Sequence, residues 1–179
     1  MHVVLMGLRG AGKSTVARLL AQSLSRQVID LDDITAAVLG AATAGDALRI
    51  HGEPAFREAE ACAVAAALSH PPAVIALGGG SPTAPRVADL LRRARAGREV
   101  WILYLAASPA ALAARVKSDG ATTRPSLTGL PSAAEVDKLF AQRDPLYQEL
   151  ADACVKTDRL SPAQASAEAL RMLAAAGVM

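Results

Sequence analysis

Runs of consecutive apolar residues alternate with stretches in which apolar positions recur every three or four residues, and the alternation persists along the whole chain. Val3 to Met6, Ala73 to Leu77 and Val100 to Leu105 are short and apolar throughout, the pattern of parallel strands buried on both faces. Val28-Ile29 running into Asp30-Leu31-Asp32-Asp33 reads as a strand end carrying acids, and Ala153 to Lys156 as a last short strand. Lys13 to Ser25 puts Val16, Leu19, Leu20 and Leu24 on one face of a helix. Residues 33 to 52 are alanine-rich and interrupted by Gly40 and Gly45, which predicts two short helices. Pro54 suits the first turn of a helix to about Ser69, with Phe56, Ala59, Ala63, Ala66 and Ala67 inward and Arg57 off that stripe. Ser81-Pro82, Ser108-Pro109 and Ser161-Pro162 each set a capping serine before a proline, predicting helices that end near Gly97, carry Leu112 and Val116 inward, and stop at Gly177. Ser132 to Glu135 reads as a capping box for a helix to about Leu150, whereas residues 117 to 129 are polar and rich in breakers and predict an exposed, mobile loop. Strand and helix in this order give one α/β domain over residues 1 to 179, with a doubly wound, five-stranded parallel sheet flanked by helices.

The first predicted strand leads straight into Gly7-Leu8-Arg9-Gly10-Ala11-Gly12-Lys13-Ser14-Thr15, and a helix follows. This is the phosphate-loop pattern of Gly, four free residues and Gly-Lys-Ser/Thr in its required strand-loop-helix setting. Glycines let successive N–H groups turn toward a phosphate, and the helix adds its positive end. In such a P-loop NTPase-type fold Gly10, Ala11, Gly12, Lys13, Ser14 and Thr15 cradle the phosphates of a nucleoside triphosphate. Lys13 reaches the β- and γ-phosphates, and Ser14 sits on Mg²⁺. An ordinary glycine-rich turn would not bring Lys, Ser and both flanking elements together.

Composition narrows the partners. With 52% hydrophobic and only 3% aromatic residues, alanine and leucine must fill the core. A net charge of +2 is too small for a polyanion-binding surface, so nucleic acid is not expected as a partner. No stretch reaches the ~18 apolar residues of a membrane span. The N-terminal apolar run enters the phosphate loop without a signal-peptide layout, and a cytoplasmic, monomeric protein is expected. Cys62 and Cys154 are far apart and read as two reduced core thiols, and His2, His51 and His70 lack metal-ligand spacing.

Ligands of such sheets bind beyond the carboxyl ends of the strands, where the phosphate loop, Asp30-x-Asp32 and Gly78-Gly79-Gly80 all fall. On extended backbone Asp30 and Asp32 would share one side. Beside a phosphate loop one can orient water on Mg²⁺ and the other accept a hydrogen bond from an attacking hydroxyl; the alternative is a solvated Asp-rich turn. Asp33 reads as surface charge or a helix N-terminal acid. The triple glycine invites close approach of a ligand to bare backbone, or is a structural turn. Arg57, Arg115, Arg124 and Arg143 suit either carboxylate binding or charge neutralisation at a phosphoryl group, and each could also be a surface arginine in a pair such as Arg57 with Glu60. Arg124, in the breaker-rich loop, is placed to arrive by closure.

Together the phosphate loop, Asp30-Leu31-Asp32, Gly52-Glu53-x-x-Phe56-Arg57-x-x-Glu60, Gly78-Gly79-Gly80, Arg124-Pro125 and Arg143-x-Pro145-Leu146-Tyr147 resemble the shikimate kinases in order and approximate spacing, over almost the whole chain. The resemblance implies ATP and Mg²⁺ as cofactors, shikimate as the small-molecule partner, a substrate-binding segment at about 31 to 60 and a lid at about 117 to 129. It implies Lys13, Asp32 and Arg124 as catalytic residues, with Asp32 contacting and activating the shikimate hydroxyl. Arg57 and Arg143 would hold the carboxylate, with Gly78, Gly79 and Gly80 lining the pocket and Ser14 with Asp30 at the metal. Arg115 would stack on adenine and Arg159 fall near its other side. Two departures stand out: Arg124-Pro125-Ser126-Leu127 replaces the family's Arg-Pro-Leu-Leu, and Ile34-Thr35-Ala36 replaces its Ile-Glu pair. The competing readings are another small-molecule kinase of the same fold, such as a gluconate-type kinase, and a non-catalytic nucleotide-binding domain. A GTPase is disfavoured because the chain has no asparagine for the usual guanine reader.

Overall fold

A computed structural model describes residues 1 to 118 and 132 to 178. Its strands are β1 (His2–Met6), β2 (Val28–Asp30), β3 (Val74–Ala76), β4 (Val100–Ala106) and β5 (Ala153–Lys156). The helices are α1 (Lys13–Ser23), α2 (Leu31–Val38), α3 (Ala44–Leu68), α4 (Val87–Ala96), α5 (Pro109–Ser118), α6 (Ser132–Leu150) and α7 (Pro162–Ala175). The sheet order is β2-β3-β1-β4-β5, and every pairing is parallel. Val3, Val4, Leu5 and Met6 are wholly buried in the central strand, which explains why β1 reads as unbroken apolar sequence. Contacts join α1 to α7, and separately α4 to α3 and α6, so helices cover both faces as expected for a doubly wound sheet. In this order the chain changes direction between β1 and β3, which opens a crevice at their carboxyl ends.

Several local expectations are corrected. Ser81-Pro82 opens only a 3₁₀ turn, Ser81–Thr83; Pro85 holds Ala84 extended (φ −66°, ψ 148°), and α4 starts at Val87. Asp30 ends β2, but Leu31 already begins α2, so Asp30 and Asp32 do not share one side of an extended segment. Between residues 33 and 52 the interruption at Gly40 (φ 66°) is present, whereas Gly45 lies within α3. The second break falls instead at Gly52, whose φ of 77° and ψ of 165° kink α3 just before Pro54. Ala66 is exposed, and Val64 takes the inward position. Both cysteines are exposed rather than core thiols: on α3 the inward positions belong to Ala63, Val64 and Ala67, and on edge strand β5 the buried residue is Val155. The capping box at Ser161 and Gln164 is complete, and Gly177 adopts the left-handed conformation after α7.

His2 opens β1 at 5% exposure, and its Nδ1 accepts a hydrogen bond from the Ala73 N–H at 3.2 Å. An imidazolium could not accept that bond. Burial holds the His2 pKa below its ordinary 6.5, and the N-terminal ammonium, His70 and Arg26 act in the same direction against a partly opposing bond to Leu68. The unfolded chain therefore binds more protons at His2 than the folded one, and stability falls as pH drops below about 6.5. His2→Asn keeps an acceptor without titrating. Thermal midpoints measured from about pH 7 to about pH 5 should fall less steeply for His2→Asn than for the native chain; parallel curves would remove this contribution.

Candidate active site

The phosphate loop leaves β1 at Gly7, where φ is 153° and an added Cβ would lie 2.5 Å from the Leu105 carbonyl oxygen, so only glycine fits the turn. The loop closes on itself through the Ala11 N–H to Leu8 O bond of 3.1 Å. Lys13 is buried, and its ammonium donates to the Leu8 carbonyl at 3.2 Å, drawing the side chain back along the loop. Side chains of Asp30, Thr43 and Ser161 cap α2, α3 and α7, but α1 starts from Gly12 with no side-chain cap. Its first N–H groups are thus left to bind an anion. Ser14 donates from Oγ to Asp30 Oδ2 at 2.6 Å, while Asp30 Oδ1 accepts the Asp32 N–H at 3.2 Å. One carboxylate therefore both fixes the Ser14 hydroxyl and starts α2, and that helix carries Asp32 into the crevice.

The second half of the site is built on Gly78-Gly79-Gly80, just beyond β3. A Cβ at Gly78 would sit 2.7 Å from Asp32 Oδ1, Glu60 Oε1 and Ser81 Oγ alike. One at Gly79 would come within 3.1 Å of the Arg9 backbone nitrogen, and one at Gly80 within 2.6 Å of Arg57 Nη1. The glycines thus let the protein's own groups crowd the backbone, in addition to any ligand. Glu60, 2% exposed, accepts from Arg57 Nη1 at 2.5 Å on one oxygen and from Ser81 Oγ at 2.6 Å on the other. Glu53 accepts from Arg57 Nε and Nη2 at 3.3 and 3.2 Å. Burial alone would lower the Arg57 pKa, but the charge and hydrogen bonds of Glu60 and Glu53 hold it above its ordinary value, a permanent cation. From α6, Arg143 Nη1 donates to Gly79 O at 2.9 Å and the Tyr147 hydroxyl to the same oxygen at 2.5 Å. Burial raises the Tyr147 pKa to about 12, although Arg143 pulls it down, so the hydroxyl remains a donor.

Two adjoining clefts result. The smaller, about 860 Å³, is lined by Asp32, Arg57, Glu60, Gly79, Gly80 and Arg143, with an apolar wall from Leu48, Phe56 and Leu139. The larger, about 1330 Å³, is lined by Gly10 to Val16, Arg115, Thr157, Leu160 and Pro162. Arg9, Asp32 and Gly79 border both. Gly78 lines neither and is buried behind the wall. Arg115 is tied across the larger cleft, from Nη1 to Gly10 O at 3.3 Å and from Nη2 to Thr157 O at 2.5 Å. Arg159 is exposed in the turn after Thr157, and Leu160 and Pro162 form the lining there. Arg124 and most of the expected lid lie outside the described residues. Glu60 and Tyr147 belong to motifs quoted above without a role of their own; the Arg57 and Glu60 spacing of three residues was the available signal for the first.

A cleft built on a phosphate loop and a smaller one that presents Arg57 and Arg143, meeting at the Asp32 carboxylate, define a phosphate-loop kinase acting on a small acidic acceptor. The family model described as Shikimate kinase matches residues 9–174. The chain therefore belongs to the shikimate kinase family. It is 41% identical over 178 residues to a shikimate kinase of Oleidesulfovibrio alaskensis, covering 98% of this chain and 99% of that one. A structure of shikimate kinase from Acinetobacter baumannii in complex with shikimate superposes with a TM-score of 0.88 at 27% identity, covering 99% of this chain and 95% of that one. A gluconokinase from Sinorhizobium meliloti has a TM-score of 0.61 at 18% identity over 97% of this chain and 91% of its own, a likeness of fold alone.

The glycine geometry separates two substitutions. Gly78→Ala crowds three oxygens, two of them joined by the Ser81 to Glu60 hydrogen bond, and should cost about 1–3 kcal/mol of stability. Gly80→Ala drives its Cβ into the Arg57 guanidinium, and by displacing that group from buried Glu60 it should lower the thermal midpoint and also raise the KM for shikimate. A Gly80→Ala midpoint equal to that of the native chain would show that Arg57 can leave Glu60 without cost.

Proposed function

We propose that this chain transfers the γ-phosphoryl group of ATP to a hydroxyl of shikimate, giving ADP and shikimate 3-phosphate. The observation that carries the proposal is the convergence of Arg57, Arg143 and Asp32 on one cleft that shares Asp32 and Gly79 with the phosphate-loop cleft. Shikimate offers a carboxylate at one end, hydroxyls at the other and a ring between them. The two arginines suit the carboxylate through forked N–H groups, Phe56 and Leu48 suit the ring, and Asp32 suits the attacking hydroxyl. Family membership and the shikimate-bound A. baumannii relative support the same acceptor. A gluconate-type kinase is supported only at the level of fold. The joint presence of Lys13, Ser14, Asp30 and Asp32 speaks against a non-catalytic nucleotide-binding domain.

In this reading Asp32 accepts the proton of the hydroxyl as its oxygen attacks phosphorus, and the departing ADP oxygen takes up the charge. Lys13 and the uncapped N–H groups of α1 hold the phosphates and stabilise that charge without reorganising. Ser14 and Asp30, 2.6 Å apart, are hard oxygen donors of the kind Mg²⁺ takes through few carboxylates and substrate phosphates, so the residues fit that ion. When bound, Mg²⁺ neutralises charge on the β- and γ-phosphates. Gly79 and Gly80 line the acceptor pocket with Gly78 packed behind them, Arg115 and Arg159 flank adenine, and Arg124 meets the phosphates from the lid. The chain acts as a monomer in the cytoplasm, with ATP and shikimate as its partners and no nucleic acid. No helix among the described residues is long and apolar enough to cross a membrane.

The test is ADP release with shikimate, with gluconate, and with no acceptor; release that does not depend on shikimate would overturn the assignment. Asp32→Asn should lower kcat by about 100-fold or more with little change in ATP affinity, as expected for a lost general base. Arg57→Lys and Arg143→Lys should chiefly raise the KM for shikimate, about tenfold each, because a point charge replaces a fork. An unchanged KM in both would remove the carboxylate assignment.

A further inference from the structure

Arg143 and Tyr147 lie one turn apart on α6 and both donate to Gly79 O, whereas the next residue in each case, Asp144 and Gln148, lies on a different strip of the helix. There the buried Tyr104 of β4 donates its hydroxyl to Asp144 Oδ1 at 2.6 Å, and Gln148 Nε2 donates to Asp144 Oδ2 at 2.5 Å. The Tyr104 ring also meets Tyr147 edge to face, with centroids 5.4 Å apart and planes at 72°. Pro145 stands inside this turn. It has no N–H to give to the carbonyl four residues back, so the helix is internally weakest beside Arg143. In the sheet Tyr104 pairs with Met6, the residue before Gly7 of the phosphate loop. A strand at the height of the phosphate loop therefore holds α6 at its weak turn.

We propose that Tyr104 and Asp144 are positioning residues: their hydrogen bond fixes the rotation and height of α6 at Pro145 and so sets where Arg143 meets the acceptor. The inference rests on the reading of Arg143 as a carboxylate-binding residue. The Tyr104 hydroxyl stays a donor, since burial first, then the bond to Asp144, keep it well above the ordinary tyrosine range, with Cys154 and Tyr147 acting in the same direction. Without it, Arg143 and Tyr147 would still find Gly79 O, but through a turn lacking both its internal bond and its anchor. A loosened binding group acts on substrate affinity and alignment before it acts on folding.

Steady-state kinetics by ADP release, with thermal midpoints, separate this role from plain stabilisation. Tyr104→Phe and Asp144→Ala should each raise the KM for shikimate about threefold to tenfold while the KM for ATP stays within about twofold. The double variant should be no worse than Asp144→Ala, since that change already removes the bond that Tyr104→Phe removes. Asp144→Asn retains a carbonyl oxygen for the phenol and should stay near native. Val155→Ala, a core change on β5 away from both clefts, serves as the stability control and should lower the midpoint without moving the shikimate KM. An unchanged shikimate KM in Tyr104→Phe and Asp144→Ala, with normal native turnover, would overturn the positioning role alone. So would a rise in Val155→Ala equal to theirs. Absence of shikimate-dependent turnover in the native chain would overturn the acceptor assignment and the positioning role together.

Discussion

Glu60 is a carboxylate at 2% exposure, and a charge removed from water costs several kcal/mol unless its partners replace the solvent. Here Arg57 takes one oxygen and Ser81 the other, each at hydrogen-bond distance. Arg57 and Glu60 come from the second half of α3 and Ser81 from the turn beyond β3, so this single group locks a helix to the end of a central strand. The packing that encloses it is possible only because Gly78 and Gly80 bring no side chain. Removing Arg57 would strand the buried Glu60 charge at a cost of about 3–5 kcal/mol, which makes the ion pair a constraint on the architecture and on the pocket alike. Arg57 is thereby held as a rigid cation instead of a flexible surface residue.

Much of this was legible in the residues. Unbroken apolar runs announced buried parallel strands, and the phosphate loop stood between a strand and a helix as its motif demands. Arg57 lies off the apolar stripe of its helix, as the spacing indicated, and turns into the cleft. What escaped was decided partly by competing local signals and partly by tertiary contacts. The apolar run Val28-Ile29 reads as a strand that continues through Asp32, whereas Asp30 accepts the Asp32 N–H, caps α2 and carries Asp32 into a helix. Pro85 overrode the capping signal at Ser81-Pro82 because it constrains the residue before it. The cysteines read as core because both sit in apolar sequence, yet alanine and valine neighbours occupy the inward positions. The triple glycine was readable as close approach, but what approaches includes Asp32, Glu60 and Arg57, which only the folded chain reveals.

The two clefts also divide their physical work. Around the phosphates the groups are backbone N–H donors and a drawn-back Lys13, all fixed before any ligand arrives, which is the arrangement that stabilises developing charge at least reorganisation. Around the acceptor the groups are long side chains made stiff by ion pairs and by the Gly79 carbonyl. Asp32 stands at the border, two residues from Asp30, which fixes Ser14. A shift in α2 would therefore be felt on both sides at once.

The kink at Gly52 lets a single helix supply two walls of the acceptor pocket. With Gly52 left-handed and Pro54 unable to donate, the backbone ladder of α3 is interrupted between Leu48 on one side and Phe56, Arg57 and Glu60 on the other. The two halves remain coupled, because Ala44 and Ala47 pack with Phe56 in one small cluster and the Arg57 guanidinium lies 5.7 Å from the Phe56 ring centroid. A change in size at Ala44 or Ala47 is therefore passed through Phe56 to Arg57, so accommodation of the ring and recognition of the anionic end vary together.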